Sequence, residues 1–250
     1  MLLFFKSEIR NPKSTNQNSR YHTAVNDLPV ILKLTERRCL IVGGGKVALR
    51  RAESLVSVGA IVTVIAPTCD EQLLAMNAVT CQQRAFIESD LDDSFLVIIA
   101  TDDKAVNDQI NRLADAKNVL VNRVDDPAAG DISIPAHAHC GPVTVAVHTN
   151  RISATAAAAI RDSLLEHIDP AWPALLAAMA PYRTQLQKKV SDTVLRQKLL
   201  KQMADDQGLE IIKTQGVMRY IQYCESLLAD IGVPSPGPIT SKGTGGESER

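Results

Sequence analysis

A chain of 250 residues with 27 basic against 28 acidic side chains carries a formal charge of -1, so its bulk electrostatics attract neither nucleic acid nor an anionic membrane. Hydrophobic residues at 45% and charged ones at 22% give the composition of a soluble globular protein, with room for one large domain or two modest ones. The five cysteines, Cys39, Cys69, Cys81, Cys140 and Cys224, are scattered without a CxxC pair, which argues against a disulfide framework or a cysteine-built zinc site and for reduced thiols in a cytosol.

The opening MLLFFKSEIRNPKSTNQNSR has an apolar patch too short for a signal-peptide core or a membrane span, and residues 1–27 are expected to be a disordered extension or a misassigned start. No later stretch has the apolar length a bilayer requires, so a soluble, cytoplasmic protein is expected. From Leu28 the pattern becomes regular. CLIVGGG (Cys39 to Gly45) is an apolar strand stopped by glycines, and the next segment carries Val47, Ala48, Ala52, Leu55, Val56 and Val58 close to helical period. IVTVIAP (Ile61 to Pro67) is β-branched and ends at proline, a strand by composition. A weaker strand is expected within Val79 to Ile87, a clearer one at FLVIIATDD (Phe95 to Asp103), then a helix from Ala105 to about Lys117 and a strand in NVLVNRVDD. Strands alternating with helices predict an α/β fold with a parallel sheet. Between Asp131 and Thr149 two strand-like runs flank CGP with no room for a helix, which predicts an antiparallel pair. From Ile152 the chain reads as helices: ISATAAAAIRDSLLEHI, then Pro173 to about Ser191, then segments up to Ile231 with Gly208 and Gly216 as interruptions. The closing PSPGPITSKGTGGESER is expected to be disordered.

Gly43-Gly44-Gly45-Lys46-Val47-Ala48 is a GxGxxA set between a strand and a helix, the context in which that pattern binds dinucleotides. Gly43 permits the tight turn, Gly45 lets the backbone approach a pyrophosphate, and Ala48 lets helix and strand pack closely. The helix start, at Lys46 and Val47, supplies free N–H groups and partial positive charge for the phosphates. The other reading is a tight strand-to-helix turn with no ligand. The acidic side chain that ordinarily ends the second strand and bonds the ribose is missing, because that strand ends Ile65-Ala66-Pro67-Thr68, and no arginine stands there either. Charge therefore declares neither NAD nor NADP. The backbone of Ala66, Pro67 and Thr68, with the Thr68 hydroxyl, is the expected ribose contact.

VNRVDDP (Val121 to Pro127) ends an apolar run in two carboxylates and a proline. Taken alone, Asp125-Asp126-Pro127 reads as a turn, since Asp before Pro initiates turns and Asp caps helices. Strand alternation puts Asp126 on the face opposite Asp125, as the turn residue. In ATDD, Thr101 and Asp102 border a nicotinamide ribose or, equally, an aspartate there caps the helix that begins near Ala105. His137 and His139 share one strand face, with Cys140 next. Two imidazoles there suit iron, but a polar edge or subunit contact is the preferred reading, and no metal site is assigned.

With these residues in view the chain resembles the precorrin-2 dehydrogenase and sirohydrochlorin ferrochelatase family of siroheme synthesis, which includes the N-terminal module of bacterial siroheme synthase. The resemblance runs through LPVILKL, CLIVGGGKVALRRAESLVSVGAIVTVIAP, IIATDD, VNRVDDP and IPAHAHCGPVTVAV into the helix that follows, and fades beyond it. It implies NAD-dependent oxidation of precorrin-2 to sirohydrochlorin, with iron insertion in some members. Asp125 matches the catalytic aspartate of the family's N-x-V-D motif, and ligands of a parallel sheet lie outside the carboxyl ends of its strands. NAD would accept a hydride and the carboxylate a proton, with burial raising its basicity. The family's serine and paired glycines are here Thr149, Asn150 and Arg151, a departure that falls where substrate or a partner subunit is expected. Arg151, Arg161, Arg183, Lys188, Lys189 and Arg196 are candidate partners for the substrate carboxylates, or plain solubilising charges.

The resulting division is a disordered 1–27, a Rossmann-type NAD-binding domain over 28–134, a dimerisation segment over 135–168 that implies a homodimer, a helical domain over 169–232 and a disordered 233–250. No uroporphyrinogen methyltransferase domain follows, so precursor methylation is expected of another protein. Two rivals stay open: an NAD-dependent dehydrogenase of another small substrate, which the glycine turn permits equally, and a non-enzymatic dinucleotide sensor.

Overall fold

A computed structural model describes residues 27–236. The disorder expected at either end of the chain therefore lies, apart from Asp27 and residues 233–236, outside the described residues. The chain divides into two compact units between Leu120 and Val121, whereas the boundary read from the sequence lies at Ile134.

In the first unit, β1 (Arg38–Val42), β2 (Ile61–Ala66), β3 (Val79–Gln83) and β4 (Leu96–Ile99) pair in parallel; the sheet, of order β3-β2-β1-β4-β5, is completed by β5 (Leu120–Arg123), the strand in which the division falls. Cys39 to Val42 and Leu96 to Ile99 are buried at every position, because a parallel strand covered on both faces needs a continuous apolar run rather than an alternating one. β3, at the sheet edge, keeps the weaker VTCQQ pattern for the opposite reason. In register, Val42 pairs with Ile65 on one side and Ile99 on the other, so the three strands end within one residue of each other and three loops leave the sheet together. The order reverses between β1 and β4, the place where such sheets open a crevice.

Helix α1 (Lys46–Ser57) buries Ala48, Leu49, Ala52 and Leu55, and the fully buried Ala48 is small enough for close packing. A four-residue helix, α2 (Glu71–Leu74), and a 3-10 turn at Glu88–Leu91 went unanticipated, since one turn is too short to show a period. Helix α3 (Lys104–Ala116) buries Asn107, Ile110 and Ala114.

The Asp90 carboxylate, 7% exposed, receives a fork from Arg84 at 2.8 and 2.6 Å and the Ile87 N–H at 2.8 Å. Burial pushes this carboxyl up, but Arg84 and the Ile87 amide outweigh it and hold it below its ordinary value. A depressed folded-state value stabilises the protein above the unfolded carboxylate's pKa of about 3.9, and the gain is lost as pH falls through the folded value. Asp90→Asn is therefore expected to melt below the parent at neutral pH, with the gap closing in acid, as thermal unfolding at a series of pH values would show.

In the second unit, β6 (Ala136–Cys140) and β7 (Val143–Val147) form the expected antiparallel hairpin around Gly141-Pro142, with α4 (Ala154–Glu166) packed on both strands. Helices α5 (Ala171–Lys189), α6 (Thr193–Met203) and α7 (Asp206–Ala229) enclose a core of Leu175, Tyr182, Leu186, Met203, Tyr220 and Leu228. The Tyr220 hydroxyl donates to the Met203 carbonyl at 2.8 Å, which joins α7 to the end of α6. Gly216 breaks α7 as expected, at φ 81° and ψ 176°. Gly208 does not. It lies in the first turn, where its amide donates to the capping Asp205 carboxylate at 3.0 Å, and that cap overrides glycine's low helix propensity.

Candidate functional site

The loops leaving β1, β2 and β4 enclose a cleft of about 890 Å³. Each residue proposed from sequence as a cofactor contact, Gly43, Gly45, Lys46, Val47, Ala66, Pro67, Thr68, Thr101 and Asp102, lines it. Gly44, Cys69, Asp70, Phe86 and Asp103 line it too, and only their neighbourhood to the motif could have signalled the first three.

The three glycines are constrained differently. Gly43 takes φ 124°, and a Cβ there would stand 2.3 Å from the Ala100 carbonyl oxygen. Gly44, a free position in the motif, is as tightly held: its Cβ would lie 2.0 Å from the Thr68 carbonyl oxygen. Only Gly45, the N-cap of α1, faces open space, with nothing within 4 Å of a Cβ. The Gly45 carbonyl accepts the first helical bond, from Leu49 at 3.0 Å, so the amides of the preceding turn have no acceptor within the helix. Gly45 has no side chain to cap them and the first turn holds no acidic residue, leaving an anion-ready cradle with Lys46 beside it. A dinucleotide pyrophosphate fits it.

At its end β2 runs into Ala66-Pro67-Thr68 without a charged side chain. Among the residues lining the cleft, Lys46 is the basic one and Asp70, Asp102 and Asp103 are acidic. Asp70 accepts the Gln72 amide at 2.9 Å as the cap of α2. Asp103 accepts the Ala105 and Val106 amides at 2.9 and 3.1 Å, so it, and not Asp102, is the cap of α3. Thr101 donates to Oδ1 of the buried Asn107 at 2.5 Å while the Asn107 amide donates back to the Thr101 carbonyl at 3.0 Å, which fixes that wall of the cleft. The cysteines are free; burial pushes the Cys69 thiol up against the lowering effect of its hydrogen bond with Cys81.

In the second unit, Asp125 stands two residues beyond the end of β5, with its side chain 30% exposed. Arg123, 2% exposed, grips both its oxygens: Nε donates to Oδ1 at 2.8 Å and Nη2 to Oδ2 at 2.6 Å. A guanidinium fork holds a carboxylate by both oxygens and so orients it. Asp126 is the turn residue, accepting the Ala128 amide on Oδ1 at 3.2 Å and the Ala129 amide on its carbonyl at 3.0 Å. The chain then returns along β5, with Ile132 N–H on the Val121 carbonyl at 3.1 Å, Val121 N–H on Asp131 at 2.9 Å and the Asn122 amide on the Ile132 carbonyl at 2.8 Å.

The Thr149 hydroxyl donates to the Ser153 carbonyl at 2.9 Å, in the turn before α4. Asn150 and Arg151, at φ 50° and 63°, hold the left-handed conformation that glycine adopts freely. The arginine holds that conformation at a strain of roughly 1–3 kcal/mol. The His137 and His139 rings lie 6.0 Å apart, Nδ1 of one against the Pro135 carbonyl and of the other against the Thr144 hydroxyl, each at 3.0 Å. Among the described residues no group of three or more His, Cys, Asp or Glu side chains is placed to hold a metal ion, and no helix is long and apolar enough to cross a membrane.

Residues 30–136 match a family model described as "Putative NAD(P)-binding". Siroheme synthase of Nitrosococcus oceani is 38% identical over 167 residues, 66% of this chain and 36% of that protein. Siroheme synthase of Thioalkalivibrio sulfidiphilus is 33% identical over 186 residues, 73% of this chain and 38% of that protein. The chain thus spans well under two thirds of the length of these curated relatives. Among solved structures, SirC, a precorrin-2 dehydrogenase, superposes with a TM-score of 0.65 at 26% identity over 80% of this chain and 100% of its own. The cradle at α1, the near-level ends of β1, β2 and β4 and these matches agree: residues 30–136 match a putative NAD(P)-binding family, and the chain is similar to siroheme synthases and to a precorrin-2 dehydrogenase.

Proposed function

We propose that this protein oxidises precorrin-2 to sirohydrochlorin with NAD in siroheme synthesis, and that Asp125 is the general base. The observation that carries the reading is the pyrophosphate cradle at Gly45 in a chain that matches SirC along that protein's whole length. When bound, NAD supplies the acceptor for a hydride. The chain's own residues do the rest. The α1 amides and Lys46 hold the phosphates, the backbone of Ala66 to Thr68 holds the adenosine ribose, and Thr101 with Asp102 borders the nicotinamide ribose. An Asp125 carboxylate oxygen takes the proton lost from the tetrapyrrole. Thr149, Asn150 and Arg151 form the turn that meets substrate. The protein works as a cytoplasmic homodimer.

The test is oxidation of precorrin-2 by the purified chain with NAD, followed by the absorbance of sirohydrochlorin. Turnover supports the reading; a chain that binds NAD and leaves precorrin-2 unchanged refutes it and favours a dehydrogenase of another substrate. Iron insertion is a separate activity of some family members, and incubating sirohydrochlorin with Fe(II) measures it independently.

A further inference from the structure

A strand that buries a guanidinium pays a desolvation cost that an apolar side chain would avoid, and Arg123 lies 2% exposed between the buried Asn122 and the turn at Asp125. From this geometry we infer that Arg123 is a positioning residue, whose fork fixes the Asp125 carboxylate in the orientation for proton removal; this rests on the reading of Asp125 as the base. β5 ends at Arg123 and the chain bends at Val124 and Asp125, which brings the Asp125 carboxylate against the guanidinium two residues before it. The fork spans both oxygens, at 2.8 and 2.6 Å, and so removes the rotation about the Asp125 side chain that a single bond would leave. A carboxylate has about four acceptor sites, of which the fork uses one on each oxygen, so holding the group does not by itself prevent it from accepting a proton. The backbone beneath is fixed as well: Val121 and Asn122 are tied to Asp131 and Ile132, and a Cβ on Gly130 would lie 2.9 Å from the Val121 carbonyl oxygen. Lysine, a point charge without a fork, would supply the charge but not the orientation.

The alternative is a pair that only stabilises the turn, and the experiment separates the two. Arg123→Met, Arg123→Lys, Asp125→Asn and the Arg123→Met/Asp125→Asn double variant are assayed for precorrin-2 oxidation, NAD affinity and melting temperature. Misplacing a reacting group by about 1 Å costs on the order of 100-fold, so Arg123→Met is expected to lose roughly that factor in kcat with KM for NAD unchanged. Arg123→Lys recovers part of the loss, and in the Asp125→Asn background the methionine causes no further fall. Parental kcat in Arg123→Met overturns the inference, as does a loss confined to KM or an equal loss in the Asp125→Asn background. Should the methionine variant not fold, Arg123→Lys decides: lowered kcat at a parental melting temperature supports positioning, and unchanged kcat overturns it. A parent chain that binds NAD without oxidising precorrin-2 removes the base assignment and this inference together, whereas an active parent matched by Arg123→Met removes the inference alone.

Discussion

Replacing Asp125 with asparagine is expected to lower kcat for precorrin-2 oxidation by roughly 10²–10⁴-fold, the range a positioned general base contributes, while NAD affinity stays at the parental value. Asparagine keeps the size of the side chain and one oxygen for Arg123, but it cannot take up the proton. The substitution also removes the charge that the buried Arg123 grips with its fork. Breaking a fully buried pair costs about 3–5 kcal/mol, and the cost here falls at or below the lower end because the Asp125 side chain is 30% exposed. Single-turnover absorbance measured well below the variant's melting temperature separates the chemical defect from the loss of stability. Turnover at the parental rate would exclude Asp125 as the base.

The second large effect belongs to the glycine turn. Gly44→Ala is expected to abolish NAD binding and lower the melting temperature together, because the new methyl group would stand 2.0 Å from the Thr68 carbonyl oxygen, and main chain cannot rotate away as a side chain can. Overpacking of this kind costs about 1–3 kcal/mol. Gly43→Ala adds a left-handed conformation worth roughly 1–2 kcal/mol more. Gly45→Ala is the contrasting case. With φ -86° and open space around its Cβ, alanine fits the fold, yet its methyl group takes up open space of the cleft beside the start of α1. It should weaken NAD at least tenfold with the melting temperature unchanged, as calorimetric titration beside thermal unfolding would show. A Gly44→Ala chain that binds NAD like the parent would remove the cleft as the dinucleotide site.

Much of this site could be read in the sequence because its signals are local. A glycine run between an apolar strand and an amphipathic helix announces itself over a few residues, and β1, α1 and β2 lie where that run puts them. What stayed hidden depends on approach between segments distant in sequence. Gly44 is restricted by Thr68 and Gly43 by Ala100, and no spacing rule declares either contact. Gly208 was misjudged because propensity was weighed without the cap three residues before it. Arg123 was the avoidable omission. An arginine at the end of a buried strand, two residues before an aspartate, already offers a paired charge.

The near-level ending of β1, β2 and β4 has a broader consequence. Because Val42, Ile65 and Ile99 lie level in register and are followed by Gly43, Ala66 and Ala100, residues with no side chain or a single methyl group, the cleft is bounded there by little besides main chain, which is common to all residues. Grip on the coenzyme then tolerates wide drift in side-chain identity, provided the glycines stay. The rest of the pocket is then free to diverge while the nucleotide scaffold is kept.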